Sequence, residues 1–485
     1  MLTIQGRPPS VCNGPTRREV IQAAGAGLFG VSLPHVLAAE QAATPFVNGR
    51  AKSVLFLLLF GGPSQLETFD MKPEAPDDIR GPFKPIASRT PGLRICEHLP
   101  QTAALTDKLA VIRTLNHPYN DHGAVHYIQT GHPHPNRFGS NPDETPIGPA
   151  EWPSMGSVVE YLSRHHDPSR HRTMPDYTYL PNRLGALQST NRPGQYGGWL
   201  GPAYNALATD IRRRDENDNP YFRTCSEEEL DFRIKGLLTR DEVRLSRLNR
   251  RATLLDQFED QRRVQSAPDA TDAYGKIRQR AFELATSQQM HRALDIRRES
   301  DSMRDRYGRH LFGQSVLMGR RMIEAGSRFV TVIWDMPDGA PSGWDSHEGM
   351  TASLRDHLLP GLDQGVSALL DDMAESGLLE ETLVVRLGEM GRTPKFENRG
   401  RADGRDHWSY CFPALLAGAG VSGGLLYGRS DNIAGHPLDH PVSPADLTST
   451  IFSTLGIDPH GTIRDKENRP VPLVDGGHVL DELFA

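Results

Sequence analysis

Imidazole and carboxylate side chains gather at four places in this 485-residue sequence. Both are groups that hold divalent cations. "FGGPSQLETFDMKP" offers Ser64, Glu67 and Asp70 behind Gly61 and Gly62, which permit a tight turn and a close ligand approach. "NHPYNDHGAVHYIQTGHPHP" carries His117, Asp121, His122, His126, His132 and His134. His122 and His126 are four apart, so on a helix they share one face, as two ligands of one metal would, although such pairs also serve packing. "VIWDMPDGAPSGWDSHEGM" supplies Asp335, Asp338, Asp345, His347 and Glu348, and an acid and a histidine two apart in a loop can bind one cation. The fourth place joins "RLGEMGRTPKF" to "GRDHW", with Glu389, Arg392, Lys395, Arg401, Arg405, Asp406 and His407. Arginine there can match a phosphate or sulfate with a bidentate fork.

The chemistry these types suit is that of a metal or oxyanion site, since convergent ionisable groups mark such sites.

These residues need elements to position them. "SVLFLLLF", "KLAVIRTL", "SRFVTVIWD", "ETLVVRLGE" and "CFPALLAGAG" are short, continuous apolar runs, the pattern of strands covered on both faces. Between them, "MGSVVEYLSRHH" and "LLPGLDQGVSALLDDMAESG" repeat apolar residues at three and four and read as helices. Strands alternating with helices predict an α/β fold with a mostly parallel central sheet flanked by helices. Working residues in such sheets gather beyond the carboxyl ends of the strands. Each of the four clusters follows a predicted strand. Within the fourth, Asp406 and His407 also precede one, and a charged pair at a core boundary is costly unless paired or metal-bound.

Residues 132–225 are rich in Pro, Gly, Asn and aromatics and read as long ordered loops. Residues 226–325 are dense in Arg, Glu, Asp and Leu and read as a helical insertion with salt-bridged faces. A formal charge of -7 with scattered basic residues excludes the electrostatic footprint of nucleic-acid binding. The four cysteines have neither metal-site spacing nor the density of a disulfide scaffold. At the N-terminus, Arg17 and Arg18 precede a Gly/Ala-rich apolar segment and small residues near Ala38 to Ala43. That is the layout of a twin-arginine export signal over 1–43, placing the mature chain in the periplasm or outside the cell. No other segment has the length of a membrane span.

"GEMGRTPKFENRGRADGRDHWSYCFPALLAGAGVSGGLLYGRSD", with "GGPSQLETFDMKP", "DHGAVHYIQTG" and "GWDSHEG", closely resembles the secreted bacterial family called domain of unknown function 1501, from Ser53 to the C-terminus. Through it the chain is similar to the alkaline-phosphatase-like superfamily of sulfatases and phosphatases. The resemblance implies a single domain of that fold over 53–485 and a divalent metal: zinc, calcium or magnesium. It maps metal positions onto Asp345, His347 and His407, puts Glu389 where relatives carry an Asp-His pair, and leaves Glu67 or Asp70 as distant substitutes for an aspartate at Phe60–Gly61. With Asp406 beside His407, the expected metal set is Asp70, Asp345, His347, Glu389, Asp406 and His407. The nucleophile slot falls near Asp121, with no Ser, Thr or Cys there and no formylglycine pentapeptide. The implied activity is sulfatase-like hydrolysis of sulfate or phosphate esters, on a small anionic ester or a sulfated polysaccharide. In it a cation would polarise the ester oxygen and lower the pKa of a water that attacks directly or through an Asp121 intermediate, with His122 or His126 the general acid and Arg392 and Arg405 neutralising departing charge. The alternative is an anionic-glycan-binding protein that keeps the fold without the nucleophile.

Overall fold

The computed structural model describes residues 49–133, 151–166, 174–234, 283, 287–337, 343–396 and 403–484. The export-signal reading over 1–43, His134, Asp338, Arg401 and most of the 226–325 stretch lie outside the described residues.

Eight strands form the central sheet: β1 (Ser53–Leu59), β2 (Ala110–Leu115), β3 (Tyr177–Leu180), β4 (Leu207–Ala208), β5 (Phe329–Trp334), β6 (Thr382–Leu387), β7 (Phe412–Ala417) and β8 (Leu425–Tyr427). Their order is β8-β2-β7-β6-β1-β5-β3-β4. Pairing is parallel throughout except at β7, which runs against both β6 and β2. All five apolar runs picked from the sequence are strands of this sheet.

The apolar runs are continuous because both faces of the sheet are covered. Leu55, Leu57 and Leu59 of β1 face one core, shared with α3 (Leu311–Glu324) and α4 (Leu359–Glu375). Val54, Phe56 and Leu58 face the other, shared with α2 (Met155–His166) and α5 (Pro444–Thr454). Each such buried side chain contributes about 1.5–3 kcal/mol. The closing helix α5 starts on a capping box: Ser443 Oγ accepts from the Asp446 amide, and Asp446 accepts from the Ser443 amide. Helix α3 comes from the end of the stretch read as an insertion, and it packs on β5 and β1 as part of the main helical layer.

Cys96, Cys225 and Cys411 are free and buried, each thiol pushed up to about 12 by burial, so no disulfide forms among the described residues. Among them, too, no helix is long and apolar enough to cross a membrane.

Candidate functional site

The antiparallel strand explains the position of Asp406 and His407. Because β7 runs opposite to its neighbours, the residues before it lie at the edge where β1, β5 and β6 end. A short ribbon, Gly391–Arg392 against His407–Trp408, ties this approach to the loop leaving β6. The loop after β5 crosses β1 at Gly61, whose φ is +119°, and a Cβ there would lie 2.5 Å from the Asp345 amide. Only glycine admits that crossing.

Three histidines converge on Asp345. Its Oδ1 lies 3.1 Å from His347 Nε2 and 3.1 Å from His407 Nε2, and its Oδ2 lies 3.3 Å from His122 Nε2. The two Nε2 atoms of His347 and His407 are 3.0 Å apart. Ligand atoms of His122, Asp345 and His407 all fall within 4.8 Å of one another. Nitrogen and oxygen donors gathered this way fit a zinc-type cation, and His347 Nε2 faces the same carboxylate.

Two of the rings are oriented from behind. His122 Nδ1 is 2.8 Å from Glu389 Oε1, and His347 Nδ1 is 2.5 Å from Asp406 Oδ1. A carboxylate on the Nδ1 side fixes the tautomer and leaves Nε2 as the ligand atom. Glu389, fully buried, also accepts from the Gly61 amide at 2.9 Å, so it braces the β1 turn as well. Glu389 and Asp406, expected as metal ligands, lie against the Nδ1 side of these rings, and His122, expected as a general acid, belongs to the cluster that could hold a metal.

Electrostatics follow from this crowding. Burial alone would raise Asp345, but His122, His347, His407 and the Arg392 guanidinium hold its carboxyl far below the usual range. For His122, burial opposes the charged form, yet hydrogen bonds to Asp345 and Glu389 outweigh it and carry it to about 9. His347 is raised, chiefly by its hydrogen bond to Asp345, and His407 is lowered by burial. A cation among the Nε2 atoms would replace the protons that now satisfy Asp345.

The arginines are internal braces. Arg405 places its guanidinium on fully buried Glu67, with Nη2 at 2.7 Å and Nε at 3.2 Å, and donates to the carbonyls of Thr393, Pro394 and Ile79. All five of its N–H groups, expected to neutralise departing charge, are thus engaged within the protein. Arg392, also fully buried, donates to the carbonyls of Gly61, Gly62 and Arg405 and reaches Asp345 Oδ1 at 2.5 Å. It pins Asp345 rather than offering a fork to a ligand.

The family model described as protein of unknown function (DUF1501) matches residues 51–484. The chain belongs to the DUF1501 family. No curated protein matches its sequence. Among solved structures it is similar to the phosphonate monoester hydrolase of Agrobacterium radiobacter, at 11% identity and a TM-score of 0.40, over 89% of this chain and 77% of that one. It is similar to the Silicibacter pomeroyi phosphonate monoester hydrolase at 13% identity and a TM-score of 0.36, over 89% and 76%. A sulfatase from a Pseudoalteromonas species matches at 13% identity and a TM-score of 0.37, over 91% and 72%.

Other expected residues of this DUF1501 chain lie elsewhere. Asp70 pairs with Lys72 Nζ at 2.9 Å and accepts from Ser430 Oγ, because the chain swings away after Gly62; it is outside the cluster of His122, Asp345 and His407. His126 is buried in α1 (Val125–Thr130) with Nδ1 3.4 Å from Glu151, so it and His122 take different partners; the intervening backbone begins as a tighter 3-10 turn. Asp121 caps that turn through the Gly123 amide at 2.7 Å, half-buried and raised by burial. Asp335 is fully buried and holds the amides of Met336 and Gly185, pushed up to about 6 by burial. Lys395 pairs with Asp78 at the surface.

One residue escaped the sequence reading. Arg192, in "STNRPGQYGG", puts its guanidinium 5.3 Å from the Phe60 ring centroid, and Phe60 lies 5.1 Å from the His122 ring. Its Nη2 donates to Gln188 Oε1 at 2.8 Å, its Nε is buried without a hydrogen-bond partner, and no carboxylate pairs with it among the described residues. A lone arginine in a Pro/Gly loop carries no spacing signal that marks it.

Proposed function

We propose that the chain is an exported, sulfatase-like, metal-dependent hydrolase of sulfate or phosphate esters. The carrying observation is the convergence of His122, His347 and His407 through Nε2 on Asp345, with Glu389 and Asp406 behind two of the rings. A ring whose Nδ1 rests on a carboxylate while its Nε2 faces a shared cluster of donors is the pattern of metal-ligating histidine.

A divalent cation held there would supply Lewis-acid polarisation of the ester and a nucleophile from water at neutral pH. Arg392 keeps Asp345 in place, and Gly61 lets the two loops meet. Asp121, on the turn that carries His122, is the carboxylate placed to accept or return a proton, or to attack. Arg192, the guanidinium beside Phe60 without a carboxylate partner, receives the anionic group in place of Arg392 and Arg405. Sulfated polysaccharide is the substrate class proposed for the surrounding loops.

The second reading, an anionic-glycan-binding protein without turnover, draws support from the same arginines, since two of the three guanidiniums near the centre serve structure alone. Elemental analysis of the purified chain and of His407→Ala, followed by assay on sulfate, phosphate and phosphonate ester panels, separates the readings. Metal lost in the variant together with turnover supports the hydrolase. Glycan binding without turnover leaves the binding protein, and no metal in either chain sinks the metal-dependent hydrolase and leaves the binding protein.

A further inference from the structure

A groove of about 370 Å³ opens between the Tyr221–Thr224 loop and the N-terminal ends of α3 and α4. That volume lies within the range of small-ligand sites. It shares no residue with the metal cluster. Tyr221 in its lining stacks on Trp334, with ring centroids 5.4 Å apart, and Trp334 meets Trp344, the neighbour of Asp345, at 5.4 Å. The groove therefore sits at the same end of the sheet as the cluster.

Its chemistry is unusually specific for a surface hollow. Phe222 and His357 stack in parallel, 4.5 Å apart with 7° between planes, and His357 is exposed, so one ring face is open. His310 caps α3 by accepting the Gly313 amide at Nδ1, at 3.2 Å. That role places the imidazole proton on Nε2. Burial holds the ring neutral, lowering it to about 4. The Nε2 is buried and has no hydrogen-bond partner among the described residues. An unmet buried N–H is costly, and a ligand acceptor would satisfy it. Gly308 keeps the space open: a Cβ there would lie 2.6 Å from His310 Nε2 and 2.7 Å from Gln364 Oε1. A donor and an acceptor thus face one point in the wall.

The rim carries charge but little net field. Arg309 is paired with Asp305 at 2.5 Å and Asp301 at 2.8 Å, and Arg223 with Asp218 at 2.5 Å and Glu229 at 2.7 Å. Each guanidinium being matched, the groove is no trap for an anion. An open aromatic face beside paired donors and acceptors suits a ring with an apolar C–H face and hydroxyls that both donate and accept. We propose that this groove binds a neutral glycosyl unit, its ring against the His357–Phe222 stack and a hydroxyl oxygen accepting from His310 Nε2. The site stands whether or not the chain hydrolyses an ester; for a polymeric substrate it would be a second point of hold.

The test uses the full chain on an array of neutral and anionic oligosaccharides, then titration calorimetry with the best neutral hexasaccharide. His357→Ala should weaken binding by about fivefold or more, and His357→Tyr should retain it, because the tyrosine ring restores the stack. His357 is exposed, so unchanged thermal unfolding of both variants shows that the fold is intact. Phe222→Ala should weaken binding as well. His407→Ala should leave binding unchanged, which separates this groove from the metal centre: turnover can fail while the groove still binds. Retention of no neutral saccharide overturns the proposal. So does binding that disappears in His407→Ala but survives His357→Ala and Phe222→Ala.

Discussion

Replacing Arg405 with methionine tests whether the buried guanidinium is a brace or a catalytic group. Arg405 and Glu67 are both fully buried and joined at 2.7 Å, and three backbone carbonyls also accept from the guanidinium. Removing one member of such a pair leaves an uncompensated carboxylate, at about 3–5 kcal/mol. Each orphaned carbonyl adds about 1 kcal/mol where water cannot reach it. A loss of about 6–8 kcal/mol is the expected outcome. With an unfolding entropy of about 2 cal/mol/K per residue, 1 kcal/mol shifts Tm by about 1 °C in a domain of this size, so Tm should fall by about 6–8 °C. Scanning calorimetry at pH 7 on Arg405→Met, Glu67→Leu and the double variant forms a cycle. The double variant should be less destabilised than the sum of the singles by at least about 1.5 kcal/mol, since no lone charge remains. Metal content, and turnover per folded molecule at 20 °C, should stay within about threefold of the parent. An unchanged Tm with turnover down a hundredfold would refute the reasoning and return Arg405 to the reaction.

At the metal centre, His122→Ala and His407→Ala should each abolish stoichiometric metal by elemental analysis, whereas Glu389→Gln and Asp406→Asn should weaken it by about 10–100-fold in competition with a chelator. Gly61→Ala should lower Tm and metal content together, because its Cβ would press on the Asp345 amide at 2.5 Å and its φ is +119°. Arg386 is buried on β6 with all three guanidinium nitrogens lacking hydrogen-bond partners among the described residues, and its guanidinium lies 5.4 Å from the Phe69 ring centroid. Arg386→Met should therefore raise stability by about 1–3 kcal/mol in urea titration, and a loss would reveal an unseen partner. Acid should destabilise the fold between pH 6.5 and 4: burial lowers His117, His132 and His310 to about 4, so the unfolded chain binds more protons there. The stability they contribute is complete above pH 6.5 and lost as pH falls toward 4. Asp335, pushed up to about 6, opposes them over an overlapping window, as do Asp121 and Asp363, which burial also raises. His132→Phe, which keeps a ring on Trp152, should reduce proton uptake on unfolding near pH 5 by about one.

Much of the fold was legible in the residues. A strand covered on both faces must be apolar at every position, and the five runs read that way became β1, β2, β5, β6 and β7. The glycines after β1 announced a close approach, and the acid and histidine clusters announced an edge where the chain gathers ligands. The motifs from "GGPSQ" to "GRDHW" carried the family. What the chain order hid was contact. Asp406 and His407 reach the metal edge only because β7 is antiparallel, a pairing that its apolar pattern does not encode. Ligand, orienting acid and brace are all carboxylates or cations in sequence, and distances near 3 Å between residues some 60 to 270 positions apart sort Asp345 from Glu389 and Asp406. The same reach turns Arg392 and Arg405 inward, sends Asp70 to Ser430 and brings Arg192 to Phe60. Burial patterns are local and survive in sequence. Hydrogen bonds depend on where distant loops meet, and only the folded sheet decides that.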